Sequence, residues 1–328
     1  MKTTADHLFF DIYSLLAFQS GRGVTVTAAQ TIKIADTLLQ IPVRILHCLP
    51  HMGEITGQTG VFQHSTTGIV ECQYPGIGGR CLQNFPGNAH YFPENDGKDN
   101  IAPFEFIPWI LGQCRSLAEA REKLSSINLC NLHFSEALPL SPLHWMIADT
   151  KEAIVVESVA EGLKIYENPI GVLTNNPPFP YHMTHLADFL NLTREEPESR
   201  CGLPGITPYS RGMGAMGLPG DISSASRFVR AAFVKCNSVS GDREAESVSQ
   251  FFHILGSVAQ VRGCARMPDG RYEITRYTSC INLNQGLYYY STYENPGISA
   301  VAFSGSDLET GALHRYPLRT EMDICWQN

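Results

Sequence analysis

Between Leu143 and Thr174 the chain passes through four apolar or β-branched segments, residues 143–149, 153–158, 163–167 and 171–174. The gaps between them are too short for the crossover that parallel neighbours require, so the run predicts an antiparallel meander. The turns at Thr150-Lys151 and around Glu161-Gly162 have hairpin length. Helical patterns bracket this block. Pro103 opens a largely apolar helix expected through Trp109 to about Cys114. Ser116 and Glu119 form a capping box for a second helix, whose apolar face is Leu117, Ala120, Leu124 and Ile127. Further on, Ser223 or Ser224 caps a helix to about Lys235, and Arg243 to Ala259 predicts another with Val248, Phe251, Phe252 and Leu255 as its buried stripe. Strands close the chain at Tyr272 to Leu283, Leu287 to Tyr293 and Ile298 to Phe303, joined by turns at Asn284-Gln285-Gly286 and Asn295-Pro296-Gly297. Separate blocks of helices and antiparallel strands predict an α+β fold. Two sheets packed face to face, each with helices outside, would use every block.

The front of the chain is less legible. Gly23 to Thr27 reads as a strand, and Ile32 to Leu49 fits helix or strand. Tyr74 to Arg80 is a glycine-rich turn region whose glycines do not make a phosphate-binding fingerprint. Residues 84–100 form a loop dense in Pro, Gly, Asn and Asp. Residues 191–221 form a second, longer one, which in a folded domain serves function or meets another subunit.

A single domain spanning residues 1–328 is expected, since large-sheet domains reach this size. The net charge of −8, without a Lys/Arg cluster, argues against nucleic acid as a partner. No apolar run approaches the ~18 residues of a membrane span. Leu8 to Phe18 is interrupted by Asp11, preceded by Asp6 and lacks a small-residue cleavage site, so it reads as mature protein rather than a leader. The ten cysteines (48, 72, 81, 114, 130, 201, 236, 264, 280 and 325) form no CxxC. Scattered thiols of this kind fit a reducing, cytoplasmic compartment. His47, Cys48 and His51, with Cys72 and Cys81 beyond, match no standard zinc spacing. No metal and no cofactor is expected.

The stretch GVLTNNPPFPY, residues 171–181, carries the clearest chemical signal. Pro177 and Pro178 cannot donate to a ladder and force the strand to stop at the asparagines. Asn175 and Asn176 are thereby held at the end of a buried element. An amide donor fixed in that way can stabilise a developing oxyanion. Equally, asparagines at such a place can simply satisfy turn backbone.

Five blocks, GVLTNNPPFPY, SPLHWMIAD (141–149), YSRGMGAMGLPGDISSASRFVRAAFVK (209–235), SVSQFFHILGSV (247–258) and RYTSCINLNQGLYYYSTYEN (276–295), together resemble choloylglycine hydrolases. That family includes bile salt hydrolases and penicillin V acylases, which are N-terminal nucleophile hydrolases. The likeness covers residues 84 to about 318. It implies an αββα four-layer sandwich of two antiparallel sheets between helix layers, in accord with the block order. It further implies hydrolysis of a small-molecule amide without metal or cofactor, typically the bond between a bile acid and glycine or taurine. A cytoplasmic homo-oligomer, tetrameric in such relatives, is also implied. The YSRGMGAMGLPGD loop is closer to bile salt hydrolases than to penicillin acylases and is expected to make subunit contacts. Three positions carry over. Asn175 matches the asparagine whose side chain helps form the oxyanion hole. Asn84, in QNFPGN, matches the asparagine that supplies the second contact to that oxygen. Arg227, in SSASRFVR, matches an arginine beside the nucleophile, where a cation would favour thiolate.

The departures from that pattern lie in residues 10–83. The family's nucleophile is a cysteine exposed when the initiator Met is removed, with its own α-amine as base. This chain reads Met1-Lys2-Thr3-Thr4 and has no cysteine before Cys48. Lys2 is too bulky to permit ready removal of Met1. Asp11 lies near the place of a family arginine–aspartate pair, but without the Gly-Arg that precedes it there. Weak or absent hydrolase activity is therefore expected. The open explanations are a truncated or frame-shifted reading of a gene whose intact form begins Met-Cys, and a degenerate member that binds a steroid or acyl ligand without turnover. A penicillin V acylase-like amidase, and an unrelated α+β hydrolase using an internal Cys, are the further alternatives.

Overall fold

The computed structural model describes residues 61–64, 68–69, 79–114, 116–133, 140–149, 152–199, 202, 204–282, 287–302 and 316–328. The expected elements at 23–27 and 32–49, the turn at 284–286 and the last residue expected in a strand, Phe303, lie outside these residues.

The central sheet is built from β3 (Gly79–Asn84), β6 (Leu143–Ala148), β7 (Ala153–Val159) and β8 (Gly162–Glu167), in that order and antiparallel throughout. The hairpin register of β6 and β7 places Ala148 opposite Ala153 and His144 opposite Glu157. The meander predicted from residue 143 holds for these strands. The next segment leaves it: β9 (Val172–Leu173) pairs with β2 (Gly68–Ile69) instead of β8. Asn168 makes this departure possible. Its side chain accepts from the Gly171 N–H and donates to the Val172 carbonyl, turning the chain away from the β8 edge. A second antiparallel sheet contains β1 (Val61–His64), β10 (Tyr277–Asn282), β11 (Leu287–Thr292) and β12 (Ser299–Ala302). A short parallel pair, β4 (Asp99–Ile101) with β5 (Ile127–Leu129), flanks the first helix pair.

Side-chain alternation on β6 and β7 assigns the two faces of the central sheet. Leu143, Trp145, Ile147, Ile154 and Val156 pack with Phe106 and Ile110 of α1 (Phe106–Gln113) and with Leu117, Ala120 and Leu124 of α2 (Leu117–Leu124). Met146, Ala148 and Val155, on the opposite face, join a core containing Phe179 of α3 (Phe179–Leu186), Phe228 of α4 (Ser224–Asn237), and Val248, Phe251 and Leu255 of α5 (Glu244–Gly256). Cys280 of β10 belongs to the same core, and α5 lies against β1 and β10. Helix pair, sheet, sheet and helix pair give the αββα sandwich. Each fully buried aliphatic or aromatic side chain in these two cores contributes roughly 1.5–3 kcal/mol through removal from water.

Local differences from expectation have physical causes. Helix α1 begins at Phe106 rather than Pro103, because Ala102 to Glu105 close a turn through the Glu105 N–H and the Ala102 carbonyl. Ser116 caps α2 as expected, accepting from the Glu119 N–H at 3.2 Å, but Ile127 lies beyond the helix and opens β5. On α5 the fourth core residue is Ile254, while Phe252 is only partly buried. Strand β10 starts at Tyr277, five positions after the expected Tyr272, which among the described residues makes one isolated bridge, to Arg266. Residues 191–221 contain a single 3-10 turn, Met213–Ala215, among the described residues.

Candidate functional site

The asparagine pair sits where three elements converge: the end of β9, the loop that follows β3, and the first turns of α4. Thr174 is buried behind it and exchanges hydroxyl contacts with α4. Its Oγ1 donates to the Ser224 carbonyl at 3.1 Å and accepts from Ser224 Oγ at 3.0 Å.

The Asn175 side chain spans the gap. Its Nδ2 donates to the Asn84 carbonyl at 3.0 Å and lies 3.4 Å from Gln83 Oε1. Its Oδ1 accepts from Arg227 Nη2 at 2.8 Å. An arginine is donor-only, so it fixes which end of the amide faces α4 and which faces the loop. The neighbouring Asn176 donates from Nδ2 to the Pro86 carbonyl at 2.5 Å. The two side chains thus differ in role. Asn176 satisfies loop backbone, whereas Asn175 links the loop to a buried cation. The Asn176-Pro177 peptide is cis.

The Asn84 loop is itself anchored on the sheet. The Phe85 N–H donates to the Pro142 carbonyl at 2.7 Å, and Gly87, at φ +78°, turns the chain in a region that a side chain would resist. Tyr91 OH donates to the Ser141 carbonyl at 2.6 Å and accepts from the Leu143 N–H at 2.9 Å, its phenol pushed above the ordinary range by burial. His90 and Ser158 exchange two further bonds, at 2.8 and 2.5 Å. Asn84 is half-buried at the rim of this anchored loop.

Arg227 is 4% exposed on the first turn of α4. Its Nε donates to the Ile222 carbonyl at 3.1 Å. Burial lowers its pKa to about 10; Glu273 counteracts part of that and Arg230 adds to it. The turn that presents it is capped twice. Ser223 Oγ accepts from the Ser226 N–H at 3.3 Å, and Asp221 accepts from the Ser223 N–H at 2.9 Å and from Ser226 Oγ at 2.5 Å. Hydrogen bonds from the Ser223 and Ser226 side chains and from the Ser223 backbone bring the Asp221 carboxyl down to about 2.

The structure therefore joins Asn175 to Arg227 through its side chain and to Asn84 through that residue's carbonyl. Beneath them is a set of polar residues that the sequence reading passed over. His144 and Glu157 are fully buried, with Nδ1 3.0 Å from Glu157 Oε1 and Nε2 2.8 Å from the Thr174 carbonyl. Phe85 stacks on the His144 ring at 4.3 Å between centroids. Glu157 Oε1 also accepts from the Phe179 N–H, at the start of α3. His182 of α3 places Nε2 2.9 Å from the Asn175 carbonyl, and burial depresses its pKa. A polar residue in the otherwise apolar runs LHWMIA and AIVVES is the signal that could have found His144 and Glu157.

Among the described residues no cluster of three or more His, Cys, Asp or Glu is placed to hold a metal ion, and no helix is long and apolar enough to cross a membrane.

The family model for linear amide C-N hydrolases of the choloylglycine hydrolase family matches residues 73–316. The chain belongs to the choloylglycine hydrolase family. Among its curated relatives is a bile salt hydrolase/transferase of Lactiplantibacillus plantarum, 52% identical over 246 residues, which cover 74% of this chain and 76% of that one. The bile salt hydrolase/transferase of Clostridium perfringens is 38% identical over 244 residues, covering 74% of each chain. Among solved structures, a variant of the conjugated bile acid hydrolase from Clostridium perfringens superposes with a TM-score of 0.71 at 37% identity, covering 80% of both chains. A penicillin V acylase from Agrobacterium tumefaciens gives a TM-score of 0.55 at 19% identity over 76% of this chain and 69% of that one, a likeness of fold. The family match over residues 73–316 covers the elements that carry Asn84, Asn175 and Arg227.

Proposed function

We propose that this choloylglycine hydrolase family member provides the oxyanion-binding half of a site for the amide bond between a bile acid and glycine or taurine. Asn175 and Asn84 are the groups assigned to the carbonyl oxygen. The observation that carries the reading is the 2.8 Å bond from buried Arg227 to Asn175 Oδ1, which turns the amide N–H groups toward the Asn84 loop; a substrate oxygen would take the hydrogen now at the long 3.4 Å contact to Gln83 Oε1. Preorganised donors of this kind contribute ~3–4 kcal/mol each to an acyl-transfer transition state. In the hydrolytic cycle a thiolate attacks the amide carbon, the oxyanion forms against Asn84 and Asn175, the amine leaves with a proton, and water releases the bile acid from the thioester. Arg227, close to that site, also favours a thiolate over a thiol.

A polypeptide of these 328 residues, expressed as written, carries no cysteine ahead of Cys48 and so has no thiol paired with an α-amine. Its turnover is expected to be weak or nil, with binding of the conjugated bile salt retained. The cysteines described inside the cores are poor substitutes. Burial raises the Cys114 thiol to about 11 and pushes Cys280 higher still. The chain is further assigned to the cytoplasm, in keeping with six free cysteines among the described residues. It is assigned a homo-oligomeric state through the loop that exposes Ile206, Tyr209 and Met216.

Calorimetry with glycine- and taurine-conjugated bile salts, alongside an assay of released amino acid, tests these assignments. Saturable binding that Asn175→Ala weakens, with little release, is the expected result. Release at an ordinary enzymatic rate of ~10 per second would overturn the weak-activity assignment, and absence of saturable binding would overturn the substrate assignment.

A further inference from the structure

The His144–Glu157 pair and His182 lie under the asparagine site without reaching the space in front of it. His144 and Glu157 face each other across the β6–β7 hairpin, and both are wholly enclosed. Enclosing a carboxyl group and an imidazole in a core is costly unless their hydrogen bonds are met, so their presence there asks for a reason.

Proton counting shows what the three side chains do. The Thr174 and Asn175 carbonyls can only accept, so the Nε2 atoms of His144 and His182 both carry hydrogen. His182 Nδ1 makes no hydrogen bond among the described residues, while the Nε2 proton is committed to the Asn175 carbonyl. On the other ring, Glu157 Oε1 holds His144 Nδ1 and the Phe179 N–H together. The Glu157 side chain thereby ties the β6 histidine to the first turn of α3, the helix that carries His182. Successive carbonyls, 174 and 175, are each held by a histidine, and the peptide planes on both sides of the Asn175 Cα are set.

We propose that His144, Glu157 and His182 form a positioning device for Asn175, aiming its amide by clamping the backbone carbonyls on either side of its Cα. Arg227 fixes which way round the amide lies; the histidines fix where its Cα–Cβ bond points. The value of that aim rests on the assignment of Asn175 to an oxyanion, where a displacement of ~1 Å can cost a hundredfold in rate. His144 and Glu157 are thus positioning residues that act through the backbone.

Nuclear magnetic resonance on the isotopically labelled full chain tests the proposal without ligand or turnover, so loss of the bile-salt assignment would leave this test intact. Histidine 15N spectra of the unsubstituted protein should show His182 as the neutral Nε2–H tautomer and His144 with a proton on Nε2. A bare Nε2 on either ring would overturn the proposal without any variant. The Asn175 side-chain amide, identified by its loss in Asn175→Asp, should exchange with solvent about tenfold faster in Glu157→Gln and His182→Leu, the factor for about one net hydrogen bond. His182→Gln, which keeps an N–H donor, should restore slow exchange. The Val155 and Val156 backbone amides supply the control for general loosening. Unchanged Asn175 exchange in both variants, or equal acceleration at Val155 and Val156, would reduce the network to ordinary core structure and overturn the proposal.

Discussion

Arg227→Met separates what the buried cation does for the fold from what it does for the site. The substitution keeps an unbranched stem of similar length and removes the guanidinium. Burial holds the Arg227 pKa at about 10 against an ordinary 12.5, so enclosing the charge costs roughly 3 kcal/mol. Methionine relieves that cost. Against it stand the bonds to the Asn175 side chain and the Ile222 carbonyl, at ~1.5–3 kcal/mol each for a charged donor. For these two bonds the effects largely offset, with a net loss of up to about 3 kcal/mol. Phe228, the next residue along α4 and fully buried, provides the scale, because Phe228→Ala should cost about 3–5 kcal/mol. Urea unfolding of the three proteins gives the comparison, with calorimetry of a conjugated bile salt on the folded ones. Arg227→Met should remain the more stable variant and yet lose most of the binding signal. A stability loss above about 5 kcal/mol, or full retention of binding, would refute the assignment of Arg227 to the site rather than to the fold.

His182 should make the protein acid-sensitive. Burial keeps its folded pKa below the ordinary 6.5, so the unfolded chain takes up the proton first, and stability present above about pH 6.5 is lost as pH falls below it. Urea midpoints between pH 7.5 and 5 should fall more steeply for the unsubstituted protein than for His182→Gln; parallel profiles would contradict this. Asp221→Asn should lower stability by about 1 kcal/mol through the α4 cap, with part of the binding loss of Arg227→Met, both measurable in the same titrations. A thiol reagent should label Cys236, Cys264 and Cys325 in the folded protein and reach Cys114, Cys130 and Cys280 only in denaturant, since the last three are buried and their thiols are held above the ordinary range. Rapid labelling of a buried cysteine at neutral pH would revive an internal-thiol mechanism.

The sheet and helix blocks were legible because each is decided locally. The β6–β7 hairpin follows from alternation plus a short turn, and α2 from a serine three residues ahead of a glutamate. Where a boundary depended on a partner distant in sequence, local pattern was not enough. Val172 and Leu173 look like a fourth meander strand, yet Asn168 turns them toward β2, more than a hundred residues upstream. Ile127 continues the apolar face of α2 by spacing alone, and only its parallel pairing with Asp99 makes it the start of β5.

The site divides in the same way. Asn175 and Arg227 are fifty-two positions apart, and no spacing rule links them; they were found through sequence blocks that resemble a family, and their 2.8 Å contact is a property of the packed α4 and β9. His144 and Glu157 are within reach of physical reasoning from the hairpin alone. In a hairpin whose turn pairs Ala148 with Ala153, every cross-strand pair keeps the same sum of residue numbers, so His144 must face Glu157. Both interrupt apolar runs, and the same parity puts them on one face of the sheet. A carboxylate and an imidazole opposed on a buried face are either an error of register or a deliberate pair, since neither could be enclosed alone. That inference needs only the hairpin. What it lacks is the destination of the second imidazole nitrogen. The Thr174 carbonyl arrives there because β9 abandons the meander, so the feature that defeated the local strand assignment is the one that places Asn175 above the histidines.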